Sequence, residues 1–375
     1  MFKGVHWPLL RPPTAVRDKE LIATTDTIAS GFRNRNVIVT GGLGFIGSNL
    51  AIRLAGAGAR VTVIDSAVIG CGANRHNLAR FDIPILETDI ANAPGFAGTL
   101  RRAEIVFNMA GETSHIHSMQ LPWRDAALNA EAHLRFLDEL GRVAPGIRVV
   151  YASTRQIFGI PRYLPVDEKH PIRPVDFNGI HKYAAAGYHL LYSVMGRIDG
   201  VTLNLTNVYG PRMALNIPCQ GFLSNFLRRV LLGQAIEIFG DGRQLRDPVY
   251  VDDVTSAFLM AGATNTPEPR AFNIGGPGAL PLAEIARMIS SAAHAPAPVL
   301  KPFPPDRKRI DIGSYASDPT CVANALGWRA TVSFETGVAT TLDFFRSQLR
   351  HYLRPEDATA TCPLEAMHPR QPAAV

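Results

Sequence analysis

The hydrophobic pattern changes at Arg35. Before it, residues 1–33 mix Pro, Thr and charges without sustained periodicity and read as an extension ahead of the folded unit. From Asn36 onward, short β-branched and apolar runs alternate with helical stretches. The spacing predicts strands at 36–40, 60–65, 83–88, 105–109, 148–152 and 201–205, and helices at 45–54, 126–141 and 178–195. The strands are nearly continuous apolar runs, as expected where helices cover both faces of a parallel sheet. The predicted class is therefore α/β, a Rossmann-type doubly wound parallel sheet.

Past residue 207 the alternation loosens. A helix is predicted at 221–232, a strand at 235–239, a turn at Asp241-Gly242 and a short strand at 249–251, with Asp252 or Asp253 capping the helix that follows. Residues 271–274 read as a strand returning to the main sheet. The expected organisation is a main domain at 34–207, with 246–275 returning to it. Residues 208–245 and 276–350 would form a smaller C-terminal α/β lobe, and 351–375 a Pro/Ala-rich tail.

Composition narrows the function classes. A chain of 375 residues with 46% hydrophobic and 19% charged residues is a globular protein rather than a disordered one. No uninterrupted apolar window is long enough for a membrane helix, and Pro8, Pro12 and Pro13 break up the start, so neither a membrane span nor a secretory signal is expected. Thirty-eight basic against 32 acidic residues give a net charge of +6. No basic stripe with interleaved aromatics is visible, which favours an anionic small molecule over nucleic acid. Cys71, Cys219, Cys321 and Cys362 lack CxxC pairing or His partners, and are read as free thiols of a reducing cytoplasm with no metal site.

The candidate chemistry begins at Thr40-Gly-Gly-Leu-Gly-Phe-Ile-Gly47, which satisfies GxGxxG through Gly42, Gly44 and Gly47 and GxxGxxG from Gly41. Between a strand and a helix, such a turn brings bare backbone amides and a helix N-terminus up to a pyrophosphate. Asp65 ends the next strand, where a carboxylate accepts from the adenosine ribose hydroxyls and repels a 2′-phosphate, so NAD is favoured over NADP. Asp89 is placed either to reach the adenine amine, with Ile90 beside the ring, or to cap a helix.

Further along the chain stand Asn108-Met-Ala-Gly-Glu112, Tyr151-Ala-Ser-Thr154, Phe158-Gly159, Asn207-Val-Tyr-Gly-Pro-Arg212, Phe239-Gly-Asp-Gly-Arg-Gln-Leu-Arg-Asp247, Tyr250-Val-Asp-Asp253 and Phe272-Asn-Ile-Gly-Gly276. With these motifs in order from about Asn34 to Arg350, the chain resembles the extended short-chain dehydrogenase/reductases, and among them the NAD-dependent sugar-nucleotide epimerases and dehydratases. The resemblance implies NAD as cofactor and a nucleotide-diphosphate sugar bound by the C-terminal lobe. It also implies a homodimer joined by the 126–141 and 178–195 helices. It assigns the cofactor to Gly41, Gly44, Phe45, Ile46 and Gly47, to Asp65 and Ser66, to Asp89 and Ile90, to Asn108, Ala110 and Gly111, and to Asn129 and Lys182. The substrate falls to Thr154, Asn207, Gln220, Arg243 and Arg246, and to Arg307 and Lys308, for which a solvated basic loop is the alternative.

In that family a Ser or Thr and a Tyr-x-x-x-Lys pair stand beside the nicotinamide, and tyrosinate removes the proton of the reacting hydroxyl while hydride passes to NAD. Thr154 and Lys182 match, but Asn178 stands where the tyrosine belongs, and an amide has no proton to titrate near neutrality. Another group must then act as base: Glu112 and His115 are the preferred candidates, with Tyr151 and His117 behind them. Arg155 and Gln156 replace the acidic pair that sugar 4,6-dehydratases carry after the threonine, which disfavours dehydration. The expected activity is epimerisation through transient oxidation. The rivals are net dehydrogenation or decarboxylation, and a silent NAD-binding protein that has lost its base.

Overall fold

The computed structural model describes residues 28–354, except 29, 69, 218–219, 266–269, 306–307 and 309, together with residue 357. Most of the predicted extension and tail lie outside the described residues, as do Cys219, Arg307 and Cys362. Seven strands form one parallel sheet: β1 (Asn36–Thr40), β2 (Arg60–Asp65), β3 (Ile85–Glu87), β4 (Ile105–Asn108), β5 (Arg148–Thr154), β6 (Asp199–Leu205) and β7 (Ala271–Ile274). Their spatial order is β7-β6-β5-β4-β1-β2-β3. The order reverses at β1, between β2 and β4, so the connections diverge there and leave a crevice at the carboxyl ends of the strands.

Alternate side chains of each strand enter different cores, as the two-residue strand period requires. Val37, Val39, Val63, Ile105, Phe107 and Val150 pack on one face with Leu50, Ala51 and Leu54 of helix α1 (Phe45–Gly56) and with Val254, Ala257 and Phe258. Ile38, Ile64, Val106 and Val149 pack on the other with Phe136, Leu137 and Leu140 of helix α2 (Ala132–Val143). Helix α3 (Phe177–Val194) packs against β5 and β6. A separate core gathers Phe226, Leu227, Val230, Ile285, Ile289, Val338, Leu342 and Phe345 from the later part of the chain.

Several boundaries differ from expectation. The third strand is confined to Ile85–Glu87, within the predicted 83–88. The single helix predicted at 126–141 is a compound one: a short helix at Pro122–Ala126, a π turn at Ala127–Glu131, then α2. A π turn follows no hydrophobic period, so no pattern announces it. Neither Asp252 nor Asp253 caps the helix at Val251–Ala263, whose N-cap is Tyr250. Asp253 instead accepts hydrogen bonds from Thr331 N, Val332 N and Thr331 Oγ1, tying the helix to a later loop. Cys71 and Cys321 are free. Among the described residues no helix is long and apolar enough to cross a membrane, and no three His, Cys, Asp or Glu gather as metal ligands.

Candidate active site

A cleft of ≈ 310 Å³ crosses the strand tips from Asp65 to Thr154. At one end the glycine turn is compressed to the limit. Gly41 has φ +64°, and a Cβ there would stand 2.7 Å from Met109 O. A Cβ on Gly47 would meet Gly41 O at 2.4 Å, and one on Gly42 would meet Val63 Cγ2 at 2.6 Å. Only glycine lets β1 pass into α1 in so short a turn. The N-cap of α1 is Gly44, without a side-chain cap, so the helix offers its first-turn amides and positive end to the cleft. That cradle fits a pyrophosphate.

At the tip of β2, Asp65 Oδ2 accepts from Leu43 N at 3.0 Å and Oδ1 from Ala67 N at 2.8 Å. Burial pushes its carboxyl up, and the two amides pull it back. Each oxygen keeps a lone pair for a ribose hydroxyl. Asp89 lines the cleft with Ser66 and Ile90, and it also caps a short helix by accepting from Ala91 N at 2.8 Å. Of the two alternatives for Asp89, the helix cap is the one its hydrogen bond shows, at a position on the cleft wall.

The cleft lining also includes Thr154, Lys182, Asn178 and His115, together with Ala110, Gly111, Asn207 and Gln220. Thr154 ends β5 and accepts from Gln156 N at 3.3 Å. Lys182 projects from α3 into a buried position, where desolvation pulls its ammonium down to about 8 against the opposing pull of Asp125 and Glu112. One turn earlier, Asn178 Nδ2 donates to Glu112 O at 3.0 Å and to Asp125 Oδ2 at 2.9 Å. Both amide hydrogens are thus committed, and only Oδ1, an acceptor, is left for a ligand. Asn178 therefore pins α3 to the loop after β4 and is no substitute for a phenol. Asn178→Ala is expected to destabilise the protein by about 1–3 kcal/mol, since it strands two buried acceptors. A urea titration measures this loss.

His115 opens a short helix at His115–Gln120. Its Nδ1 lies 2.9 Å from Asp176 Oδ2. An ionised carboxylate only accepts, so Nδ1 carries a proton toward Asp176, while Nε2 on the other side of the ring meets the Gln156 amide. Asp176 is buried and also caps α3, accepting from Gly179 N at 2.7 Å. Burial would raise its carboxyl, but the hydrogen bond and charge of His115 hold it below the usual range. A carboxylate that fixes the tautomer of a cleft-facing imidazole is the arrangement of a general base.

Residues 37–275 match the NAD dependent epimerase/dehydratase family. The chain belongs to this family. It is an enzyme family whose cofactor is NAD, and the cradle and Asp65 fit that dinucleotide. A UDP-glucose 4-epimerase of Mycolicibacterium smegmatis is 32% identical over 315 residues, covering 83% of this chain and 98% of that protein. Among solved structures, UDP-glucose 4-epimerase of Thermotoga maritima with UDP-glucose superposes with a TM-score of 0.76 at 30% identity, over 84% of this chain and 99% of the other. UDP-glucose 4-epimerase of Thermus thermophilus in complex with NAD gives 0.74 at 29% identity, over 83% and 99%.

Several residues that the epimerase/dehydratase pattern nominates stand behind the cleft wall rather than on it. Glu112 is buried, with Oε1 accepting from His117 Nδ1 at 3.2 Å and Oε2 3.7 Å from Arg124 Nε, so its carboxylate is committed away from the ligand space. Asn108 is fully buried: it accepts from Thr40 Oγ1 at 2.7 Å and donates to His133 Nδ1 and His189 Nε2, locking the tips of β1 and β4 to the helices beneath. Asn129 is turned inward by the π segment, and its Oδ1 accepts from Glu112 N at 3.0 Å. It shapes the 111–112 loop from behind. Arg246 donates to Leu245 O and Gly313 O and lies 3.7 Å from Asp311. The Arg243 side chain is 90% exposed beside Asp241, and Lys308 is exposed against the Phe303 ring. Tyr151 is excluded as base, because its ring is sealed against His189 and burial raises its phenol far above the ordinary value.

Sequence reading missed Asp176 and Asp125. Asp176 was findable, because an Asp three residues before Gly179 at the start of a helical run is an N-cap signal. Nothing in the pattern marks Asp125, which lies ahead of a turn that the pattern does not predict.

Proposed function

We propose that the chain is a nucleotide-sugar epimerase whose general base is His115, oriented by Asp176, in place of the family's tyrosine. The observation that carries this reading is the continuity of one cleft, from the glycine cradle and Asp65 to Thr154, Lys182 and the His115–Asp176 pair. The Gly41–Gly47 backbone and Asp65 would hold the dinucleotide, with Lys182 on its nicotinamide ribose. NAD, when bound, supplies a reversible acceptor for the hydrogen of a sugar carbon. Thr154 binds the reacting hydroxyl, and His115 Nε2 takes its proton and later returns it, the hydroxyl displacing the Gln156 amide that meets Nε2 here. A carbonyl oxygen formed there meets the Lys182 ammonium, which stabilises developing negative charge. Arg155 and Gln156 offer no carboxylic acid for the elimination of water, which favours epimerisation over dehydration.

The test is spectroscopic. Adding UDP-glucose, UDP-galactose or a uronic acid counterpart to the NAD-loaded protein is expected to raise absorbance in the reduced-nicotinamide band and to yield an isomer of unchanged mass. A product lighter by carbon dioxide indicates decarboxylation, and a panel with neither band nor product indicates a silent binder.

We also infer a homodimer through α2 and α3. Leu134 of α2 and Ile180, Tyr183, Leu191 and Val194 of α3 are exposed apolar residues on these helices, from 39% exposed at Leu134 to 83% at Val194. Sedimentation equilibrium at twice the monomer mass, lost on Leu191→Glu, is the expected outcome.

A further inference from the structure

The residue after Thr154 is an arginine that is 7% exposed and forms part of the cleft wall. Its Cζ lies 4.9 Å over the Tyr315 ring, and its enclosed Nη1 has no hydrogen-bond partner. The carboxylates whose charge it feels are committed elsewhere. Asp247 accepts from Thr206 Oγ1 and Ser317 N, Asp176 from His115 and Gly179 N, and Asp311 lies 3.7 Å from Arg246. A second buried guanidinium, Arg246, stands close enough to be disfavoured by the Arg155 charge. Burying a guanidinium whose Nη1 donates to nothing is costly, and an anion that accepts from it recovers that cost. On the cleft wall, Asn207 Oδ1 and Gln220 Oε1 are buried acceptors without partners, suited to sugar hydroxyls.

We propose that the sugar this enzyme accepts carries a carboxylate, as in a nucleoside diphosphate hexuronic acid, and that Arg155 receives it. The inference rests on the nucleotide-sugar reading above. Thr154 and Arg155 line the same cleft, so a sugar whose reacting hydroxyl meets Thr154 would carry its carboxylate elsewhere on the ring, toward Arg155. The planar guanidinium, whose Cζ lies over the Tyr315 ring, carries a fork that matches a carboxylate with two parallel hydrogen bonds. A neutral hexose leaves the fork unpaired and is selected against.

The diphosphate is the other anion of such a ligand, and binding measurements separate the two. The full-length, NAD-loaded protein is titrated calorimetrically with UDP, UDP-glucose, UDP-glucuronic acid and UDP-galacturonic acid. One uronic acid is expected to bind about 10- to 100-fold more tightly than UDP-glucose, the range for a charge-assisted hydrogen-bonded pair. Arg155→Gln is expected to erase that preference and leave UDP affinity within about threefold. The variant is also expected to melt at a higher temperature than the wild type when free of ligand, because an unpaired buried charge has gone. Arg155→Lys, which keeps the charge but loses the fork, should retain only part of the preference and serves if the glutamine variant does not fold. Equal binding of hexose and uronic acid by the wild type overturns the inference. So does a loss of UDP, hexose and uronic acid affinity in equal measure, which would assign Arg155 to the diphosphate. Absence of any UDP binding would instead bring down the nucleotide-sugar reading on which the inference stands.

Discussion

His115→Gln is expected to lower turnover of an accepted nucleotide sugar by about 10²- to 10⁴-fold, with NAD affinity unchanged. Glutamine fills similar space and keeps a hydrogen-bonding end, but it cannot take up a proton. The His115 ring contacts Asp176 and Gln156 rather than the glycine cradle, so cofactor binding has no reason to follow. Asp176→Asn tests the orientation separately. An amide nitrogen at that position donates, which forces Nδ1 to accept and moves the ring proton to Nε2, where it blocks the lone pair that the reaction needs. Asparagine still caps α3 through Gly179 N, so the fold is retained. Turnover within about threefold of wild type in His115→Gln is far below the size of a lost general base and would transfer the role to another group.

What the sequence made legible follows from how local each cause is. Val37 and Val39 against Ile38 already imply a strand covered on both faces, because successive side chains must part to opposite sides, and they do so in two distinct cores. The glycine turn was legible because its requirement is steric and lies within eight residues. The candidate site was legible only where a strand tip or a helix spacing fixes a direction, as at Asp65, Thr154 and Lys182. Asn108 also stands at a strand tip, yet it points under the sheet to His133 and His189, partners 25 and 81 residues away that no local pattern discloses. Glu112 and Asn129 depend on a π turn that shifts the helix register, and Arg243 on a loop whose exposure is set by tertiary packing. Asn178 shows the limit most plainly: its identity removed the expected base from the sequence, while its two donated hydrogen bonds, and the imidazole that stands in the same cleft, needed the fold.

Lys182→Met is expected to abolish measurable turnover and, at the same time, to stabilise the ligand-free protein at neutral pH. The folded environment draws the ammonium from 10.5 down to about 8, chiefly by desolvation. Between those values the unfolded chain holds a proton that the folded chain has released, so the stability of the wild type rises with pH across that window. Below pH 8 the side chain is charged in both states and the full penalty of burying it applies. Methionine has nearly the same length and no charge, so the variant is expected to exceed the wild type by about 2–3 kcal/mol at pH 7. Near pH 10.5, where the folded wild type has already shed the proton, the advantage shrinks as deprotonation of the unfolded chain becomes favourable too. Urea titrations of both proteins at the two pH values measure the difference directly. A variant less stable than the wild type at pH 7 would mean that Asp125 and Glu112 hold the ammonium by more than its burial costs, and that the lysine is a structural ion pair rather than a charge kept for a ligand.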